Sequence, residues 1–335
     1  MKYRFAAAIV TSFLIPAGCA RDVPDPTARV FVPLGNPLLS LEDNSVIMGS
    51  DVEDALLDGP NVVLLQSGDA RVAAVNAKTG EVVWSFGRRG AGPREFAAPS
   101  ALFARKGGGV GVIDPRQGRI TLLTRSGELE NSISGELLEK EPHAVCDAGQ
   151  DGLLAIRLPD FELVRASLPG RIMLRDSLVW PDERMNRVYL FRQGFFARSR
   201  EGRCVAFAMR GEFFGEVDAL TAKPQRFFRY RDRFIYAEPV PQKNGPPVVK
   251  DSRTAASYAA VSGEWLYVLG GGTDSTKGRE IDVYALATGA YSYSITLPRT
   301  AYEIDVDAGR LLVLEWPDSG SRIDVYTLPT VGKTR

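Results

Sequence analysis

Ile281-Asp282-Val283-Tyr284 and Ile323-Asp324-Val325-Tyr326 are identical tetrapeptides near the C-terminus of this 335-residue chain. Each follows an apolar stretch, Trp265-Leu266-Tyr267-Val268-Leu269 before the first copy and Arg310-Leu311-Leu312-Val313-Leu314 before the second. Apolar and polar residues alternate in these stretches, which is the period-two pattern of β-strands with unlike faces. The stretches therefore predict two consecutive copies of one small β-sheet unit.

The same arrangement occurs six times along the chain: a short apolar segment, a Gly- or Asp-rich turn and a second apolar segment. The first segments read ALL (55–57), SALF (100–103), HAV (143–145), GFFA (194–197), YAAV (258–261) and YEIDV (302–306). The second segments begin at Val62, Val110, Leu153, Val205, Leu266 and Leu311, with spacings of 48, 43, 52, 61 and 45 residues. These spacings lie close to the roughly 40–50-residue period of a four-stranded propeller blade.

One such sheet cannot bury its faces alone, so consecutive units must stack. We therefore predict an all-β fold over residues 29–330, a six-bladed β-propeller of four-stranded antiparallel blades. The last repeat is truncated, whereas an apolar strand, Arg29-Val30-Phe31-Val32-Pro33, precedes the first repeat. We expect this N-terminal strand to complete the final blade and close the ring, which removes exposed sheet edges. Residues 331–335 then form a short tail.

Residues 1–18 have the pattern of an export signal. Two basic residues precede an eleven-residue apolar run, 5–15, that is too short to span a bilayer. The run ends in Ile15-Pro16-Ala17-Gly18-Cys19, which resembles the bacterial lipobox and implies lipidation of Cys19 in the mature protein. A plain secretory signal with an incidental cysteine is the alternative.

The segment after Cys19 predicts a membrane tether. Residues 19–28 contain two prolines and no apolar periodicity. By resemblance to lipoprotein sorting signals, the absence of Asp at position 20 favours the periplasmic face of an outer membrane. We therefore expect a lipid-anchored protein of the cell envelope.

Composition and cysteine usage agree with an exported globular protein. Lys plus Arg equals Asp plus Glu at 41 each, so the total charge gives no reason to expect a nucleic-acid partner. Beyond Cys19 the only cysteines are Cys146, on the first strand of the third repeat, and Cys204, at the start of the second strand of the fourth. Adjacent blades could bring them together in an oxidising compartment, and both a disulfide and two buried thiols stay open.

One connector resembles a known family. The sequence Phe86-Gly87-Arg88-Arg89-Gly90-Ala91-Gly92-Pro93-Arg94-Glu95-Phe96-Ala97-Ala98-Pro99 is similar to the inter-blade connector of NHL-type six-bladed propellers, in which a Gly-rich segment runs into Pro-x-x-Phe. This resemblance implies a divergent NHL-repeat-like fold of the kind found in bacterial propeller lipoproteins. A second stretch, residues 74–84, resembles the tryptophan-docking repeat of quinoprotein propellers, and we interpret Trp84 as an inter-blade packing residue.

The chain offers few residues for chemistry in its predicted channel. His143 is the only histidine, which excludes multi-histidine metal sites. We expect Glu53, His143, Glu303 and Asp305 to lie at the channel mouth. By analogy with calcium-dependent propeller lactonases, Glu53, Asp54, Glu303 and Asp305 are the acidic residues that would surround a calcium ion. Because both faces of a strand cannot point inward, only some of them should reach the channel. We assign no catalytic residue, metal ligand or cofactor.

The longest irregular insertion, 226–251, combines aromatic and cationic side chains. Arg and Tyr are favoured at binding hot spots, so Arg229, Tyr230 and Arg231 are predicted to contact a partner. The same alternation also fits the outer strand of the fourth blade. The sequence as a whole predicts a lipid-anchored propeller that binds or scaffolds a protein, a glycan or a small ligand. An enzyme of the calcium-dependent lactonase type is the competing interpretation.

Overall fold

The computed structural model describes residues 29–42, 52–232, 239–242, 245–249, 254–270, 277–316 and 320–329. They form six blades around a central channel, which confirms the predicted all-β, six-bladed architecture. The predicted signal peptide, Cys19 and the C-terminal tail lie outside the described residues. Within the described part, none of the helices is both long and apolar enough to span a bilayer.

The first half of the chain forms three blades. Two short strands come first, β1 (Phe31–Pro33) and β2 (Leu39–Glu42). Blade one contains β3 (Val52–Asp58), β4 (Asn61–Gln66), β5 (Arg71–Asn76) and β6 (Val82–Phe86). Blade two contains β7 (Ala101–Ala104), β8 (Val110–Asp114), β9 (Arg119–Leu123) and β10 (Leu129–Ile133). Blade three contains β11 (Pro142–Asp147), β12 (Leu153–Arg157), β13 (Glu162–Ala166) and β14 (Ile172–Ser177).

The second half forms the other three blades. Blade four, after a short helix α1 (Glu183–Arg187), contains β15 (Gly194–Phe196), β16 (Cys204–Ala208), β17 (Phe213–Asp218) and β18 (Lys223–Arg229). A separate hairpin follows, β19 (Pro239–Gln242) and β20 (Gly245–Val249). Blade five contains β21 (Ala256–Ser262), β22 (Trp265–Gly270), β23 (Glu280–Ala285) and β24 (Tyr291–Thr296). Blade six contains β25 (Glu303–Asp307), β26 (Arg310–Glu315) and β27 (Arg322–Thr327). Single 3-10 turns span Pro115–Gln117, Glu136–Leu138, Gly149–Asp151 and Tyr189–Arg192.

The first strand of every blade lies innermost, so β3, β7, β11, β15, β21 and β25 ring the channel. Neighbouring inner strands contact each other around the ring, and a parallel bridge between Arg198 and Ala260 joins blade four to blade five. Every predicted second strand begins within one residue of its observed start. The repeat could be recognised because these strands are buried on both faces and are therefore almost wholly apolar.

The core is divided among the blade interfaces. On β3 and β4, Leu57 and Leu64 pack toward blade six, whereas Leu56 and Val63 pack toward blade two. All four side chains are fully buried. Since burying each aliphatic side chain of this size stabilises a fold by about 1.5–3 kcal/mol, the interfaces between blades hold the ring together.

An N-terminal strand closes the ring, as expected, but it is not the strand that the sequence indicated. The fourth strand of blade six is β2, with Leu41 opposite Ile323. The predicted strand around Phe31 is instead a fifth strand of blade five, where β1 pairs in parallel with β24. Its position is held by Arg29, which forms ion pairs with Glu280 and Asp282. The choice follows burial, because Leu41 is buried between blades six and one, whereas Phe31 is half exposed.

A disulfide joins blades three and four. Cys146 on β11 and Cys204 on β16 form the bond, with their Cα atoms 5.7 Å apart. The bond closes a loop with a sequence separation of 58 residues. Loop closure of this kind restricts the unfolded chain and favours the folded state.

We predict that replacing Leu41 by alanine lowers the free energy of unfolding by about 2–5 kcal/mol, because it opens a cavity in the closing strand of the last blade. Chemical denaturation measures the change. Leu38→Ala is the matched control, since Leu38 is 49% exposed three residues earlier, and it should change stability by about 0.5 kcal/mol or less. Equal effects of the two substitutions would contradict closure by β2.

Candidate functional site

A recessed cavity of about 240 Å³ lies at one mouth of the channel. All six inner strands contribute to its lining at their N-terminal ends, through Glu53, Ala101, His143, Phe195, Tyr258 and Glu303. Trp316, which follows the second strand of blade six, also lines it. The structure therefore places three of the four predicted channel-mouth residues, Glu53, His143 and Glu303, around one cavity.

Three of the lining residues sit on β-bulges. The pairing of β3 with β4 passes from Val52 to Asp54 with a shift in register at Glu53. The same shift occurs at His143 on β11 and at Ser257 on β21, and Ser257 also lines the cavity. A bulge interrupts strict alternation and re-aims a side chain. For this reason the neighbours Glu53 and Asp54 both reach the cavity, which strict alternation would not allow.

Arg198 forms the floor of this cavity. It follows β15 in blade four, yet its guanidinium donates to the Asp54 carboxylate and to the Ala55 carbonyl of blade one. Since blades one and four are three steps apart in a ring of six, this side chain crosses the channel. It also lies 3.5 Å from the Glu303 carboxylate and 4.7 Å from the centre of the Tyr258 ring. The channel is thus blocked beneath the cavity by a buried ionic cluster.

A second ionic layer lies below the first. Arg200, two residues after Arg198 and directed to the same face of the chain, is 3.2 Å from Asp305. Asp305 is fully buried and accepts a hydrogen bond of 2.8 Å from the Leu57 amide of blade one. It does not line the mouth, contrary to the prediction. Its position, two residues into the strand from Glu303, puts it on the same face but one step deeper.

Burial shifts the pKa values of two cavity residues, Glu303 and His143. It raises the pKa of Glu303 well above its ordinary value of 4.5, and the neighbouring Asp54 carboxyl raises that pKa further, against the opposing effect of Arg198. Burial also lowers the pKa of His143 below its ordinary value of 6.5, with a smaller opposing effect of Glu141. At neutral pH the imidazole is therefore uncharged, and it packs 4.3 Å from the Phe195 ring.

The acidic residues of the channel do not fit a calcium site. Asp54 and Glu303 face Arg198, and Asp305 faces Arg200, so guanidinium groups already take the place that a cation would need. Among the described residues, no cluster of three or more His, Cys, Asp or Glu side chains is placed to hold a metal ion.

Sequence reasoning missed Arg198 and Arg200, although a signal for them exists. In the fourth repeat, seven residues separate β15 from β16, and they begin with Ala197-Arg198-Ser199-Arg200. Two arginines with a period of two, continuing an inner strand, place both charges on the channel face. Their partners come from distant blades, so nothing local in the sequence pairs them.

The predicted partner-binding residues occupy the end of the outer strand of blade four and the turn after it. Tyr230 is buried, donates a hydrogen bond to the Ala208 carbonyl and stacks on Phe214. Its burial does not suit a role in an exposed contact. Arg231 lies largely buried over the Tyr291 ring. Arg229 is half exposed, beside Glu212.

The Gly-rich connector of the first repeat packs around Phe96. Gly87 adopts φ +93°, and a Cβ at this position would lie 2.5 Å from the Phe96 ring, so only glycine fits. Phe96 is fully buried and contacts Phe86. Trp84 lies between blades one and two and donates to the Arg125 carbonyl over 2.9 Å. This placement agrees with inter-blade packing.

Fold and site together define a six-bladed β-propeller with a blind cavity at one mouth. No protein-family model and no curated relative matches the chain. Among solved structures, a putative exported protein from Bacteroides fragilis is similar, with a TM-score of 0.55 and 12% identity over 89% of this chain and 95% of that one. Virginiamycin B lyase from Staphylococcus aureus has a TM-score of 0.51 and 12% identity over 88% and 89%. The WD40 propeller domain of Doa1 has a TM-score of 0.50 and 13% identity over 89% and 98%. At this identity the likeness shows the fold alone.

We predict that Arg198→Met lowers the free energy of unfolding by about 3–5 kcal/mol at neutral pH, because it leaves buried carboxylates without their counter-ion. The loss should shrink as the pH falls through the raised pKa of Glu303, since a protonated carboxyl no longer needs the guanidinium. Thermal and chemical unfolding across a pH series measures both effects.

Arg187→Met serves as the control, since Arg187 pairs with Glu183 on the surface and both side chains are more than 70% exposed. Exposed pairs of this kind contribute about 0–1 kcal/mol. A loss of stability in Arg198→Met that does not change with pH would contradict the proposed charge compensation.

Proposed function

We propose that this protein is an exported, lipid-anchored β-propeller that binds a small ligand, or a single side chain of a partner protein, in the cavity at its channel mouth. The observation that carries the proposal is the cavity itself, lined by all six blades and closed below by Arg198. A closed floor suits a binding pocket rather than a passage. Its volume of about 240 Å³ lies below the roughly 300–1,000 Å³ typical of pockets for drug-sized ligands, which suits one ring or one side chain.

The construction of the mouth supports a role in recognition. Bulges at Glu53, His143 and Ser257 turn three polar side chains toward the cavity, and each bulge interrupts the pairing of its strand. Polar and apolar surface are about equal in the wall, and its aromatic part includes Phe195 and Tyr258. Small-molecule sites usually combine apolar and aromatic walls with precisely placed polar groups, and this cavity has both.

Export and lipid anchoring form the second part of the proposal. They rest on the lipobox-like sequence at Cys19 and on the disulfide between Cys146 and Cys204, a bond that persists in oxidising compartments such as the periplasm. An anchored propeller would present its pocket at the membrane surface of the cell envelope.

Mass spectrometry of the mature protein tests the anchor. We expect the N-terminus to be a diacylglyceryl-modified Cys19, and Cys19→Ser to remain without lipid. Multiple acyl chains give firm membrane attachment, whereas one chain binds only marginally. An unmodified N-terminus, or one that begins at another residue, would contradict this part of the proposal.

Filling the cavity tests the binding site. Ser100 is exposed and lines the cavity, so Ser100→Trp should block it while keeping the fold. Small molecules extracted from cell envelopes are fractionated and screened by thermal unfolding of the detergent-solubilised mature protein. A ligand at 100 times its dissociation constant raises the free energy of unfolding by about 2.7 kcal/mol.

We expect a fraction that stabilises the wild type but not Ser100→Trp. Ser126→Trp is the control, since Ser126 is exposed in a turn at the opposite end of blade two. Stabilisation that is equal in both variants, or that is found with neither the wild type nor the control, would count against a binding role of the cavity.

A further inference from the structure

The polar groups of the cavity are unbalanced in charge. Three carboxyl groups, those of Glu53, Asp54 and Glu303, line it together with the single guanidinium of Arg198. Arg198 pairs directly with Asp54 and lies 3.5 Å from Glu303. Glu53 at the rim is exposed and accepts a hydrogen bond of 3.2 Å from Ser67. Even with Glu303 protonated, as its raised pKa favours, the carboxyl groups of Glu53 and Asp54 outnumber the single guanidinium of the cavity.

Three buried polar atoms of the cavity residues have no hydrogen-bond partner among the described residues. They are Nε2 of His143, Nε of Arg198 and Oε2 of Glu303, although Glu303 Oε2 lies 3.5 Å from a guanidinium nitrogen of Arg198 in an ion pair. Buried polar atoms in folded proteins are nearly always paired, so His143 Nε2 needs a donor that the described residues do not supply. The unprotonated nitrogen of a neutral imidazole accepts, so a hydrogen-bond donor would satisfy it.

Aromatic rings complete the wall. Phe195, Tyr258 and Trp316 line the cavity. At the rim, Trp316 stacks on Tyr302 with ring centres 4.9 Å apart, and the two side chains are 43% and 46% exposed. Aromatic faces attract cations and also cover apolar stems.

We propose that the cavity binds a ligand with a primary ammonium or guanidinium group on a short apolar stem, of the kind presented by a lysine or arginine side chain. This inference rests on the proposed function of the cavity as a binding site. The charged head lies beside the Glu53 carboxylate, which is exposed at the rim. The stem packs against Phe195 and Trp316. An ammonium, with three donors and no acceptor, suits the Glu53 carboxylate and the aromatic faces beside it.

Isothermal titration of the detergent-solubilised mature protein with Nα-acetyl-lysine methylamide and Nα-acetyl-arginine methylamide tests this chemistry. We expect at least one of the two to bind. The same lysine probe with a neutral, acetylated Nε and methyl β-glucoside, a neutral polyhydroxyl probe, should bind at least tenfold more weakly, because a hydrogen bond to a charged group contributes about 1.5–3 kcal/mol.

Variants locate the binding. Glu53→Gln should weaken the cationic probe roughly tenfold and Ser100→Trp should abolish its binding. Glu264→Gln is the matched control, since Glu264 is exposed in the turn at the opposite end of blade five, and it should leave affinity unchanged. Equal binding of charged and neutral probes, tighter binding of the glucoside, or equal effects of Glu53→Gln and Glu264→Gln would overturn the inference.

Binding of neither cationic probe would overturn it as well. If an envelope fraction still stabilises the wild type and not Ser100→Trp, the cavity remains a binding site and only its assigned ligand chemistry fails. If no fraction does so either, the proposed function fails together with the inference.

Discussion

The interaction on which this propeller depends is the reach of Arg198 and Arg200 across the channel. Five carboxyl groups of blades one and six converge on the axis, those of Asp54, Asp58, Glu303, Asp305 and Asp307. Burying such charges without a counter-ion costs several kcal/mol for each. The two arginines of blade four supply that counter-charge from the opposite side of the ring. The carboxyl groups of blades one and six can therefore be buried stably only when blade four is in place.

The carboxylates also join neighbouring blades. Asp305 of blade six accepts from the Leu57 amide of blade one, and Asp54 of blade one accepts from the Leu102 amide of blade two. Each of these side chains links the inner strand of one blade to the inner strand of the next. An acidic residue on an inner strand of this chain therefore has a structural use first, and its presence in a channel is weak evidence for a metal.

The sequence was sufficient for the architecture and insufficient for the site. Apolar second strands recur along the chain because every blade is covered on both faces. This pattern lies within each repeat, so it can be recognised from the sequence. Which N-terminal strand closes the ring depends on the burial of Leu41 against Ile323, a pairing between the two ends of the chain. The bulges at Glu53, His143 and Ser257 arise from pairing across strands, and Arg198 finds Asp54 only after the ring forms. Period-two reasoning therefore located Glu53 and Glu303 but misplaced Asp305 and overlooked the arginines.

Closure by β2 also limits when the chain can complete its fold during synthesis. Leu39–Glu42 is among the first parts of the folded region to be made, and its partner Arg322–Thr327 is among the last. Until the final blade emerges, the early strand has no sheet to join, and blade one can pack against blade two alone. Contacts of such long range slow folding, and the exposed edges of an incomplete ring favour aggregation. A nascent chain truncated before residue 322 would thus contain the strands of five blades. It would still lack the pairing of β2 with β27 that closes the blades into a single cooperative unit.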